Sequence, residues 1–313
     1  MEHEKVGVIL LNWNSLIDTC ECIASILEAN DPGIFIYVVD NASRNNEADI
    51  IAQKFSAITV LKQTENLGFC KGNNVGIQRA LDDGMQYILV LNNDTLVPAG
   101  AIETMVKEFK NIKGTGALSP VILEYPATDR VWFAKAKWDT SRAQFNMNPD
   151  KNNYEELKGK QPWKSEFACG CCMLSSAEVI QKVGLLDERY FAYYDEADWC
   201  KRLERNGYSS DVTAATFIYH KVSRTTPSLV STYLMARNRK LWMKENLSFS
   251  ARMKSFTYLV KELLWHFCNV NGWVKGDYTK AHSKALLRGW VDYRFGRFGK
   301  WNKKTEEVIF PKA

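Results

Sequence analysis

Four short apolar runs fall in the first 95 residues, and each stops in polar residues. They are Val6–Asn14 (VGVILLNWN), Ile34–Ser43 (IFIYVVDNAS), Ala57–Gln63 (AITVLKQ) and Gln86–Asp94 (QYILVLNND). Runs of this length that close in turn residues read as central strands. Between them, Ser15–Ala29 carries Leu16, Cys20, Ile23, Ile26 and Leu27 at helical spacing, and Asn46–Phe55 is helix-like. Glu65–Gly84 reads as a Gly-rich loop feeding a further helix. Such alternation with short connections predicts an α/β domain, a mostly parallel twisted sheet flanked by helices on both faces.

In sheets of this kind ligands bind beyond the carboxyl ends of the strands. Asn12-Trp13-Asn14, Asp40-Asn41-Ala42-Ser43 and Asn92-Asn93-Asp94 all sit there. Asp40 has two readings, a turn acid that caps the next helix or an acceptor for a nucleobase imide or sugar hydroxyl. Asp94 is either a turn acid or a ligand for a hard divalent cation that also holds a diphosphate. Gly68, Gly72 and Gly76 fit neither the dinucleotide fingerprint nor the phosphate loop, which weakens both nucleotide-binding readings. Lys71 and the following helix N-terminus are candidates to face a phosphate.

From Pro126 to Lys164 the pattern weakens, which predicts loops and edge strands with a mobile segment around Asn146–Asn153. Beyond it, Asp195, Glu196 and Asp198 open a helix behind the aromatic loop RYFAYY. One acid there answers the helix dipole. Three crowded into a dry cleft raise one another's pKa, which suits a general base. His220 is either a satisfied structural residue or a partner of metal or phosphate. Arg224 is a candidate for the departing phosphates. Cys169 and Cys172 form a single C-x-x-C, without the second pair a structural zinc needs, and read as strand packing.

The 313 residues carry a net charge of +5, and no repeat of fixed period points to a solenoid or propeller. The N-terminal stretch lacks the features of a signal peptide, and no apolar run reaches the length of a membrane span. A cytoplasmic protein, peripheral at most at the inner face of the membrane, is therefore expected, with its eight cysteines reduced.

Taken in order, these motifs resemble family 2 glycosyltransferases of the GT-A fold that act on bacterial surface polysaccharides, in particular the rhamnosyltransferase-like branch. The resemblance runs from Val6 to Asn246. It rests on VILLNWNS, VVDNAS, ENLGFCKGNN, YILVLNND, CGCCML, GLLDERYFAYYDEADWCKRL, His220 and YLMARNRKLW. It implies inverting transfer from a nucleoside-diphosphate sugar (dTDP- or UDP-linked, dTDP-rhamnose among them) to a hydroxyl of a glycan or lipid-linked acceptor. Asp40 would contact the base, with Asn12, Asn14, Asn41, Asn66, Lys71, Asn92, Asn93 and Arg224 around the nucleotide sugar. Asp94 would bind Mg²⁺ or Mn²⁺, and His220 would complete that end. The catalytic acid would be Asp195 or Glu196, with Asp195 favoured. Their order is the reverse of the common Glu-Asp. Tyr194, Asp198 and Trp199 would form the acceptor side.

The implied layout is a catalytic domain over residues 1–225, its nucleotide-sugar half about 1–120 and its acceptor half about 121–225. A helical, basic, aromatic-rich extension follows over 226–313. Residues 251–313 hold 13 Lys/Arg against 5 Asp/Glu. That end has the ingredients of a surface helix on anionic lipid; packing on the catalytic domain or on a second subunit, as a homodimer, is the alternative. The rival functions are a sugar nucleotidyltransferase and a non-catalytic sugar-nucleotide-binding protein. The first wants a basic Gly-rich loop after the first strand, where NWNSLIDTC stands; the retained acids argue against the second. Neither an oxidoreductase nor nucleic-acid binding is expected.

Overall fold

The computed structural model describes residues 4–126, 129–148, 150–221, 228–274 and 279–311. Its first elements are β1 (Val6–Asn12), α1 (Leu16–Leu27), β2 (Ile34–Asp40), α2 (Glu47–Lys54), β3 (Thr59–Lys62), α3 (Gly68–Asp82) and β4 (Tyr87–Leu91). Then come β5 (Thr95–Leu96), α4 (Ala101–Asn111), β6 (Thr115–Glu124), β7 (Val131–Phe133), β8 (Lys137–Asp139) and β9 (Gln144–Asn146). They are followed by α5 (Tyr154–Leu157), β10 (Trp163–Ser165), β11 (Cys172–Ser176), α6 (Ala177–Val183), α7 (Asp195–Arg205) and β12 (Ser209–His220). The chain closes with α8 (Leu229–Asn246), α9 (Phe249–Val270), α10 (Lys280–Arg294) and α11 (Lys303–Ile309). Contacts divide the chain into two compact units. One is Met1–Lys137, Asn146–Leu186 and Trp199–Ser223; the other is Trp138–Phe145, Asp187–Asp198 and Arg224–Ala313.

The first unit is built on a sheet of order β10-β12-β6-β11-β4-β1-β2-β3. Strands β3, β2, β1 and β4 are parallel neighbours, and β12 runs parallel to β6. Strand β11 is antiparallel to β4 and β6, and β10 to β12. Val8, Ile9, Leu10, Val38 and Val39 are fully buried, as expected where helices cover both faces of a parallel sheet. The register sets Asn12 opposite Asp40 at the carboxyl ends. The strands stop short of the apolar runs because the chain turns there: Asn14 and Ala42 take φ of 54° and 62°, outside any ladder. Between Pro126 and Lys164 lie the short strands β7 to β10 and the one-turn helix α5; within the expected mobile segment, residue 149 is outside the described residues.

Two details depart from the sequence pattern. Helix α1 buries Thr19, Cys20, Cys22, Ile23 and Ile26, while Leu27 is exposed, so its inner face is more polar than its apolar residues suggest. The Gly-rich stretch is not a loop: α3 already begins at Gly68 and contains Gly72 and Gly76. A Cβ on Gly72 would lie 2.5 Å from Leu11 Cδ1, and one on Gly76 2.5 Å from Ile9 Cγ2 and 3.0 Å from Val39 Cγ2. The four-residue spacing thus lays a bare helix face against the sheet. Gly76→Val should cost about 1–3 kcal/mol through overpacking, read from denaturant unfolding.

The second unit gathers the C-terminal helices around α8. Gly289 lets α10 approach it; a Cβ there would lie 2.5 Å from Tyr233 O. Phe191, Tyr233, Leu234, Ala285 and Ile309 form one buried cluster. Asp292 is 1% exposed and accepts from Tyr233 Oη and Thr305 Oγ1, with Arg288 and Arg297 pairing its charge. The described residues contain no helix long and apolar enough to cross a membrane.

Candidate active site

At the strand ends of the first unit, Asn12 is fully buried and organises its neighbours. Its amide donates to Asp40 Oδ2 (2.8 Å), Ser43 Oγ (3.0 Å) and Glu47 Oε2 (3.0 Å). Its carbonyl accepts from Thr19 Oγ1 at 2.7 Å, and Thr19 in turn accepts from Asn93 Nδ2 at 2.7 Å. A polar chain therefore links the ends of β4, β1 and β2. Asp40 Oδ1 accepts the backbone N–H of Ser43 at 3.0 Å, which is a turn-stabilising bond; the N-cap of α2 is Asn46. Asn14 accepts from the Arg44 amide at 2.9 Å, and Asn14 N–H donates to Ser43 Oγ. Asn41 is 2% exposed and is used within the protein. It donates to Asn66 Oδ1 and Gly68 O and accepts from Leu67 N, so it fixes the start of α3 rather than presenting a free amide. Lys71 is exposed in the first turn of that helix.

Strand β5 pairs with the end of β12, and this sets Thr95 opposite His220. Asp94, one residue earlier, thereby comes within 3.2 Å of His220 Nε2 through Oδ1. Asp94 Oδ1 and His220 Nδ1 are both buried without a hydrogen-bond partner among the described residues. The Lys221 N–H donates to Asp94 O at 2.9 Å, and the Lys221 ammonium bridges Asp18 and Glu21 of α1. Trp132 packs edge-on to His220, ring centroids 4.7 Å apart. Asn92 and Asn93 are half-buried beside the pair. Arg224 lies outside the described residues.

In the second unit the aromatic loop delivers the acids under backbone strain. Phe191, Tyr193 and Tyr194 have φ of 66°, 68° and 69°, a region costly for L side chains unless the surroundings enforce it. Enforcement comes from α8. The fully buried Asn238 donates to Tyr190 O (2.8 Å), Ala192 O (2.7 Å) and Tyr193 O (3.0 Å). The equally buried Arg237 donates to Tyr190 O at 3.0 Å and to Gly299 O at 2.7 Å. Tyr194 packs with Phe145 and Trp242 at centroid distances of 5.9 and 6.3 Å.

Asp195 follows, 2% exposed, with Oδ2 lacking a hydrogen-bond partner among the described residues. Burial, reinforced by the charge of Glu196, holds its carboxyl well above the usual carboxylate range. Burial also raises Glu196. Asp198 accepts from Tyr190 Oη (3.3 Å) and Asn246 Nδ2 (3.0 Å). Two residues expected on the acceptor side are buried and bonded within the protein. Asp198 is 4% exposed and bonded inside its unit, and Trp199 is 3% exposed within the first unit, its indole N–H donated to Gly184 O at 2.7 Å.

Several contributors carried no such sequence signal. Glu47 looks like a first-turn helix acid, Thr19 like a helix-face residue, and Trp132 lies in the patternless stretch. Arg237-Asn238 did leave a trace, as part of the polar run RNRK inside LMARNRKLW. All eight cysteines are free thiols, and burial pushes the Cys22 thiol up to about 12.

The model of Glycosyl transferase family 2 matches residues 8–184. Over 302 residues the chain is 23% identical to dTDP-rhamnosyl transferase RfbF of Shigella flexneri, covering 92% of this chain and 96% of that protein. It is 21% identical to an N-acetylglucosaminyl-diphospho-decaprenol L-rhamnosyltransferase of Mycobacterium tuberculosis, over 71% of this chain and 77% of that one. Among solved structures, the mannosyltransferase PcManGT of Pyrobaculum calidifontis, in complex with GDP-Man and Mn²⁺, matches with a TM-score of 0.57 at 15% identity. That likeness spans 95% of this chain and 89% of the other, and it shows a shared GT-A fold. A family model laid over more than half of the chain, with rhamnosyltransferase relatives beside it, makes this chain an enzyme of glycosyltransferase family 2.

Proposed function

We propose that the protein is an inverting sugar transferase that takes L-rhamnose, or a closely related deoxyhexose, from a dTDP-sugar. The acceptor is a hydroxyl on a lipid-linked glycan of surface polysaccharide synthesis. One observation carries the chemistry: two acids, Asp94 and Asp195, each bury an oxygen that has no hydrogen-bond partner among the described residues. An orphaned buried carboxylate oxygen is costly, and it is retained where a ligand or proton completes it. The names of the relatives in Shigella flexneri and Mycobacterium tuberculosis supply the sugar, the nucleotide and the lipid-linked acceptor.

In this reading Asp195 accepts the proton of the acceptor hydroxyl as that oxygen attacks the anomeric carbon, opposite the leaving diphosphate. Its raised pKa makes it a stronger base once ionised. Asp40, held by Asn12 and Ser43, meets the nucleobase, and Asn66 and Lys71 lie along the nucleotide. Asp94 and His220 fit a divalent cation: the carboxylate and the imidazole Nε2 converge to 3.2 Å, and that Asp94 Oδ1 is buried without a hydrogen-bond partner. Among the described residues no group of three or more His, Cys, Asp or Glu would hold a metal, so Asp94 and His220 would hold the cation only together with oxygens of a bound diphosphate. Bound there, Mg²⁺ or Mn²⁺ neutralises charge on the departing diphosphate. Arg237 and Asn238 are positioning residues that hold the strained loop before Asp195.

The direct test is a thermal-shift screen of dTDP-, UDP- and GDP-sugars with and without Mn²⁺. A true donor at 100 times its Kd should stabilise by about 2.7 kcal/mol. A shift confined to GDP-sugars would overturn the dTDP assignment. For the loop clamp, Asn238→Ala should lower kcat about 10²-fold with the donor KM unchanged, and move the acid limb of the pH–rate profile. A stable variant with wild-type kcat would remove Asn238 from that role.

A further inference from the structure

We propose that α9 is an in-plane docking helix for an anionic phospholipid bilayer. The helix is 22 residues long, and Phe249, Met253, Phe256, Leu264 and Phe267 are between 47% and 71% exposed. They fall at i, i+4, i+7, i+15 and i+18, one narrow face of a 3.6-residue helix and a stripe of about 27 Å. Trp273, just past its end, is 70% exposed. An apolar face of that length on a surface helix marks an interaction site.

The flanking charge chooses the partner. Lys254 and Lys261 are exposed on α9, and the helix's single acid, Glu262, is bound to Arg239. Beside the N-terminal end of the stripe opens a groove of about 260 Å³, lined by Lys240, Lys244, Phe249, Arg252, Phe256 and Tyr293. Arg252 Nε has no hydrogen-bond partner there among the described residues, and the Lys240 ammonium sits 4.4 Å over the Trp290 ring. Aromatic and aliphatic side chains flanked by exposed lysines and a cation-lined groove match the acyl-headgroup boundary of an anionic leaflet. A second copy of the same surface would set like charges against each other. Helix α9 opens the basic, aromatic-rich end for which the sequence suggested a lipid contact. The stretch around Trp290 has Leu286, Gly289 and Asp292 buried within its own unit.

The inference rests on the lipid-linked acceptor for its purpose, but its test needs neither donor nor acceptor. Full-length protein is floated with phosphatidylcholine vesicles with and without phosphatidylglycerol, at low and high salt. Binding should require phosphatidylglycerol and fall at least tenfold at high salt. Phe256→Asp with Phe267→Asp should abolish it, and Lys254→Glu with Lys261→Glu should weaken it about tenfold. Both variants should keep the wild-type melting temperature and turnover on a water-soluble glycan acceptor. No flotation, or flotation indifferent to the Phe pair, would overturn the proposal. So would a wild-type dimer in sedimentation that the Phe pair dissolves. If flotation holds while transfer to any lipid-linked acceptor fails, the acceptor assignment falls and the docking surface stands.

Discussion

Asp195→Asn is expected to lower kcat by about 10²–10⁴-fold, while the donor still raises the melting temperature as it does in the wild type. The amide keeps the size and shape of the carboxyl but takes no proton. The loop held by Asn238 is untouched, so the loss falls on chemistry rather than on binding. The acid limb of the wild-type profile should show the same group. Because burial raises the Asp195 carboxyl, activity should fall on the acid side at a pH above the ~4 of an exposed Asp.

Stability should run in the opposite direction. A folded pKa above the unfolded one means that the folded state binds the proton more tightly. That stabilisation is complete below the unfolded pKa and is lost as pH rises through the folded one. Asn pays no such ionisation cost. The variant's melting temperature should therefore exceed the wild type's at neutral pH, and the gap should close toward about pH 4. Full turnover of Asp195→Asn with the correct donor and acceptor would sink the assignment. A larger loss from Glu196→Gln would transfer the role to its neighbour.

Asp94→Asn is expected to reduce turnover about 10³-fold, the several kcal/mol that a cation on a leaving diphosphate supplies. The donor-induced melting shift should lose its dependence on Mn²⁺, because the variant has removed the carboxylate facing His220. His220→Gln should show the same pattern more weakly, since it leaves the charge in place. A variant at Asp94 with an unchanged Mn²⁺ requirement would place the cation elsewhere.

Much of this was legible in the chain because apolar runs that end in polar turns report strand ends directly. Asn12 and Asp40 needed only their positions at the ends of β1 and β2, and Asp94 its place after β4, to be singled out. The register then made Asn12 and Asp40 neighbours. What stayed hidden was set by contacts distant in sequence. The glycines of α3 looked like loop because glycine is rare within helices, and only the nearness of Ile9 and Leu11 explains them. The resemblance put Trp199 on the acceptor side, and only the structure shows a carbonyl 15 residues back accepting its N–H. Nothing local in the helix sequence announces that Asn238 bonds a loop 45 to 48 residues away.

That last contact bears on engineering by recombination. A natural chimera for changing acceptor choice would join one enzyme's first 225 residues to another's helices. In this chain such a junction would separate Asn238 from the carbonyls of Tyr190, Ala192 and Tyr193, which it bonds. Swaps should instead carry Trp138–Phe145, Asp187–Asp198 and Arg224–Ala313 together, as one discontinuous cassette.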